Sequence, residues 1–135
     1  MAKRIEDIEG IGEVYGRKLR AVGVSNSAKL LAAGATRKGR ADLVARTGLN
    51  ESMVLRCVNM ADLFRINGVA SQYAELLEAA GVDTVKELRN RRADNLAAKM
   101  LEVNTAKRLC RLVPSVRVVA GWIEQAKSLP PAVSY

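Results

Sequence analysis

Apolar positions recur along the chain with the three- and four-residue spacing of helices, and no stretch alternates with a period of two over a useful length. Small polar residues punctuate this pattern. Thr36 precedes a helical segment over 37–46 closed by Gly48, Asn50 precedes one over 51–58, and Ser115 precedes a last one running to about Ser128. Ser25 and Asp83 stand before segments 26–33 and 84–90, and each is expected to cap the helix beyond it. Asn104 is expected to cap a helix over 105–112. There Ala106, Leu109, Cys110 and Val113 recur at i, i+3, i+4 and i+7 as one buried stripe before Pro114 stops it. Val116 to Ala120 is β-prone in composition, yet it comes after a cap and continues into Trp122, Ile123 and Ala126, so helix is the reading. The expected fold is all-α, with ten or so short helices.

Within this pattern two segments repeat. Residues 8–24 and 66–82 match at one offset of 58 residues without a gap: Gly10 with Gly68, Ile11 with Val69, Tyr15 with Tyr73, Leu19 with Leu77, Gly23 with Gly81. The repeat predicts two halves, 1–65 and 66–129, packed as one compact domain. Residues 130–135 form a C-terminal tail, with Pro130-Pro131 ending the ordered chain. In each repeat a chain reversal places one apolar residue, Ile11 or Val69, as a plug between helices, and the next helix carries Tyr15, Leu19 and Val22, or Tyr73, Leu77 and Ala80, inward. Glycines at such a turn supply backbone angles closed to other residues and let a ligand approach the main chain. A turn that opens a helix also exposes amides without intrahelical partners, which suits a phosphate.

This pattern resembles the helix-hairpin-helix motif: an apolar residue, Gly, apolar, Gly, then a helix with a small residue and a Leu. Ile8-Glu9-Gly10-Ile11-Gly12 with Gly16 and Leu19 fits it, and the second copy carries Ala70 where the second glycine would stand. Taken whole, the chain resembles an uncharacterised family of small bacterial proteins known as a domain of unknown function. The match lies in the segments 59–69, 76–88 and 121–127. The resemblance implies tandem helix-hairpin-helix halves. It also implies that turn amides, those of Gly10, Gly12, Val14 and Tyr15 and of Gly68, Ala70, Gln72 and Tyr73, contact DNA phosphates without regard to sequence. The flanking Ile11, Arg17, Lys18 and Val69 complete the candidate DNA-backbone-binding set. In such proteins turn carbonyls sometimes hold a monovalent cation, which here would involve Glu6, Ile8 and Ile11.

Composition narrows the chemistry. With 135 residues, 49% of them hydrophobic, the chain is long enough for one real core and too apolar for disorder. It contains no histidine, which removes imidazole bases, Ser-His and Cys-His dyads and most zinc sites. No catalytic residue, metal site or cofactor is expected, and the protein reads as a non-enzyme. Cys57 and Cys110 lie in apolar surroundings and are expected to be reduced core thiols. No apolar run has the length of a membrane span and the N-terminal segment lacks a signal-like apolar block, so a cytoplasmic location without a membrane role is expected.

The net charge of +8 favours a polyanionic partner, and its distribution refines that. Around the first turn, residues 3–20 hold five basic and four acidic side chains; in the matching window 61–78 Arg65 stands against Asp62, Glu75 and Glu78. The excess lies downstream, in 29–46 and in 86–117. There Lys107, Arg108 and Arg111 are expected on the polar face of one helix, and Arg89, Arg91 and Arg92 at the end of another. Such runs also serve as solvated faces. Two functions from different classes are compatible with these features: sequence-independent binding of double-stranded DNA, and a protein–protein interaction module without a nucleic-acid role. Trp122 would be core or a partner anchor.

Overall fold

Small polar side chains close the first turn of most helices in the computed structural model, which describes residues 2–135. Among the described residues there are eight α-helices: α1 (Gly12–Ala21), α2 (Ser27–Gly34), α3 (Arg37–Thr47), α4 (Glu51–Leu63), α5 (Ser71–Ala79), α6 (Val85–Leu88), α7 (Ala93–Lys107) and α8 (Val116–Ser128). A single 3-10 turn, Ile5–Asp7, precedes them, and the only β feature among the described residues is an isolated bridge between Arg4 and Asn26. Thr36, Asn50 and Ser115 cap α3, α4 and α8 as expected, and Gly48 ends α3 at φ +74°. The caps of α2 and α6 are Asn26 and Thr84, one residue later than Ser25 and Asp83. For α2 the cause is the N-terminal segment. The Ser25 carbonyl accepts from the Ile5 amide (3.1 Å) and the Ser27 amide donates to the Lys3 carbonyl (2.8 Å), which keeps residues 25–26 extended.

The larger correction concerns Asn104. It caps no helix over 105–112; α7 runs through it from Ala93, burying Leu96, Ala97 and Met100, and stops at Lys107. The Asn104 side chain turns to the adjoining loop instead. Its Oδ1 accepts from the Cys110 amide (3.0 Å) and its Nδ2 donates to the Cys110 carbonyl (2.9 Å). Arg108 then turns left-handed (φ 52°, ψ 49°). The predicted stripe is dissolved, and Lys107, Arg108 and Arg111 do not share a helix face.

One cluster of buried apolar side chains runs through the molecule. α4 is its axis: Val54, Cys57, Val58, Met60, Ala61 and Leu63 are all buried. α4 packs on α2, α3 and α5, while α8 packs on α6 and α7 and α5 on α7. The expected boundary near Arg65 falls in the connection between α4 and α5. The chain does not become disordered at Pro130-Pro131. Arg65 donates to the Pro130 carbonyl (2.7 Å), the Ser134 amide to the Ala35 carbonyl (2.8 Å), and Tyr135 Oη to Asn59 Oδ1 (3.2 Å). Arg40 is the anchor: buried in α3, it donates to the Gly34 carbonyl at the end of α2 (2.9 Å) and to the Ser134 carbonyl (2.7 Å).

Candidate functional site

The repeated segments have the same backbone in most of their length. The Ile11 amide donates to the Ile8 carbonyl (3.1 Å) and the Val69 amide to the Ile66 carbonyl (3.2 Å), with Gly10 and Gly68 at φ 92° and 97°. Ile11 and Val69 are buried at 3% and 2% exposure, the plug positions expected for them. The helices beyond these turns also end alike. Val24 donates to the Leu19 carbonyl (2.9 Å) and Val82 to that of Leu77 (2.8 Å), with Gly23 and Gly81 left-handed between them in a Schellman closure. The copies differ at one point. Gly12 lies at φ 63°, whereas Ala70 is extended at φ −97°, a conformation open to any residue.

Both helices begin without help. α2, α3, α4, α6 and α8 each receive a side-chain cap, but neither Ile11 nor Ala70 can supply one to α1 or α5. Among the described residues no carbonyl or side chain outside the helix accepts from the first amides of α1 (Gly12, Glu13, Val14) or of α5 (Ser71, Gln72, Tyr73). α7 also lacks a side-chain cap at Arg92. The Ile8 carbonyl, one of the three proposed for a cation, already accepts from Ile11.

The surroundings of the two turns differ. At the first, Gly10, Gly12, Val14, Tyr15, Arg17 and Lys18 are all exposed. Tyr15 does not point into the core as expected, and Val14 is 61% exposed. The cause is that α1 rests chiefly on the 3-10 turn, through the narrow face of Gly16 and Leu19. A Cβ on Gly16 would come 2.9 Å from Glu6 Oε2, so the glycine lets that carboxylate cross to Arg20, which donates to both its oxygens (2.6 and 2.7 Å). This pairing holds the Glu6 carboxyl down at about 2. Arg17 pairs with Glu13 (3.1 Å), and Lys18 has no acidic partner among the described residues.

The second turn is contacted from α8, with Asn67, Gly68 and Ala70 still exposed. Gln125 brackets Asn67, accepting from its amide (2.8 Å) and donating to its carbonyl (3.1 Å). A Cβ on Gly68 would stand 3.1 Å from Trp122 Nε1. Tyr73, unlike Tyr15, is partly buried, its ring tilted 54° against Trp122 at 5.3 Å. Trp122 itself is core. Sequence reasoning missed Lys3, which lines a hollow at this turn with Gly68, Val69 and Ala70. It also missed Arg56, which ties the first turn to the end of α5 by donating to the Glu9 carbonyl (3.3 Å) and to Glu78 (3.0 Å). Neither has a local signal, since both act on residues distant in sequence.

Cys57 and Cys110 are buried free thiols, and desolvation pushes the Cys57 thiol up to about 11. Among the described residues no group of three or more His, Cys, Asp or Glu side chains is placed to hold a metal, and no helix is long and apolar enough to cross a membrane. The family model described as "Domain of unknown function (DUF4332)" matches residues 9–129, a span holding the second repeat and all but Ile8 of the first. No curated protein and no solved structure gives a significant match to the chain.

Proposed function

The chain belongs to this family of domains of unknown function, and we propose that it is a non-catalytic helix-hairpin-helix protein that binds the phosphate backbone of double-stranded DNA without sequence preference. The observation that carries this reading is the uncapped start of α1 on an exposed turn. Unpaired amides at Gly12, Glu13 and Val14 stand beside the exposed Gly10 and the unpaired Lys18. Helix N-terminal amides and the positive end of the helix dipole attract phosphate oxygens. Contacts of that kind position a protein on a duplex without reading its bases. The first turn is the better of the two, because Arg17 and Lys18 stand exposed beside it, whereas Trp122 and Gln125 of α8 contact the second. The net charge of +8 supplies the long-range attraction.

The test is a salt titration of duplex binding by fluorescence anisotropy. The parent should bind at micromolar strength or weaker at physiological salt, equally well to unrelated sequences, and lose affinity steeply as salt rises. Gly12→Val strains a left-handed position and crowds the amides; Arg17→Glu with Lys18→Glu reverses the local field on exposed positions. Both should weaken binding more than Ala70→Val, with folding checked by circular dichroism. Absence of binding at low salt sinks the proposal.

A second reading, a protein-docking module, rests on a different observation. Leu101 and Val116, 57% and 50% exposed, flank a groove floored by Ala97, Ala98, Val113 and Pro114. A partner held there through apolar contact would bind with little dependence on salt, the opposite of the duplex.

A further inference from the structure

We infer that the 108–112 loop is a second DNA contact, in which Arg108 and Arg111 hold phosphates and Leu112 enters the minor groove between them. This rests on the duplex-binding reading of the first turn and adds a site in the second half.

The loop is held rigid around side chains that point to no partner within the molecule. Arg108 is the one non-glycine residue with positive φ among the described residues. A left-handed arginine is strained where glycine would be free, and strain of this kind gathers at functional sites. Three side chains pin the stretch from Cys110 to Leu112. Asn104 grips both backbone groups of Cys110, Cys110 Sγ lies 3.5 Å from the Leu112 carbonyl, and Tyr73 Oη donates to that same carbonyl (3.0 Å). On this fixed frame Arg108 and Arg111 are exposed, and neither meets a carboxylate among the described residues. Leu112 between the cations and the capped start of α8 is 75% exposed, the most exposed large apolar side chain described.

An apolar tip that follows two arginines in one loop suits the minor groove, where phosphates line both edges and leucine can wedge between base steps. A single leucine is too little apolar area to hold a membrane surface. The loop is also joined to the first turn. Tyr73, which holds Leu112, lies in the first turn of α5, and two residues earlier Ser71 Oγ donates to the Asp7 carbonyl just ahead of Gly10. The start of α5 thus links the loop to the segment that leads into the first turn.

The experiment uses the full chain and a short duplex carrying one 2-aminopurine. The variant Arg108→Gly with Arg111→Ala keeps the left-handed turn, since glycine favours it. It should lower affinity about tenfold and reduce the slope of log affinity against log salt by about two. Leu112→Ala should lower affinity less and remove the rise in 2-aminopurine fluorescence that unstacking produces in the parent. Unchanged affinity and slope in the double arginine variant overturn the loop proposal, and if Gly12→Val still weakens binding, the first-turn reading stands without it. No duplex binding by the parent overturns both. Binding of anionic phosphatidylglycerol vesicles that Leu112→Ala abolishes, with duplex binding untouched, assigns the loop to a membrane and overturns its DNA role.

Discussion

Ile11 and Val69 show how much one residue commits the chain. Each sits beside a left-handed glycine, each amide bonds back three residues, and each side chain is nearly fully buried. An aspartate at either position would bury an unpaired carboxylate, so Ile11→Asp and Val69→Asp should each destabilise the fold by several kcal/mol. Urea unfolding checks this, and a variant with the parental midpoint removes the plug assignment. Cys57 gives a prediction in pH. Burial raises its thiol from 9.0 to about 11 in the folded protein, so the folded state prefers the neutral form. That contribution is complete below pH 9 and is lost as pH climbs toward 11, where the unfolded chain ionises first. The urea midpoint of the parent should therefore fall more between about pH 8 and about pH 10.5 than that of Cys57→Ala; equal falls would mean the thiol meets water when folded.

Helix starts were readable where a side chain makes a short-range bond to an amide two or three residues ahead, as at Thr36, Asn50 and Ser115. Asn104 misled because the same side chain can bond either way along the chain. Its partners lie six residues on, in a loop whose path depends on Tyr73 and α8. Asn104→Ala should leave both backbone groups of Cys110 without their partner and destabilise the protein by about 1–2 kcal/mol. Amide exchange should rise in residues 108–113 before it rises in α7. Uniform acceleration across α7 and the loop would show that Asn104 supports the helix and not the loop.

At the scale of the molecule the tail is the least anticipated part. Residues 130–135 cross α2, α3 and α4, and Arg40 holds them through the Ser134 carbonyl and the face of Tyr135, 5.8 Å from its guanidinium carbon. Removing 130–135 strips that buried cation of both the Ser134 carbonyl and the Tyr135 ring while sparing the ordering of six residues, opposing effects that leave a net loss on the order of 1–3 kcal/mol. Thermal unfolding of the truncated chain measures it. A truncated protein as stable as the parent would mean that ordering the tail costs as much as its bonds return.

The amino-acid sequence determined by itself whatever short-range chemistry controls: helix as the only regular structure, the caps at Thr36, Asn50 and Ser115, the duplicated turns, and Ile11 and Val69 as buried plugs. Each rests on contacts within a few residues, so composition and spacing suffice. Tertiary structure decided what covers each element. Tyr15 and Tyr73 occupy equivalent places in the repeat, yet one is exposed on a helix resting on a single turn and the other packs against Trp122. The two candidate turns, exposed alike at their glycines, differ in their neighbours for the same reason: α8 reaches the second and not the first. Arg40 and Arg56 likewise take their roles from partners 94 and 22 positions away, Ser134 and Glu78, and the 108–112 loop takes its path from Tyr73. Such pairings are fixed by how helices pack, and packing depends on complementary surfaces that no local pattern encodes.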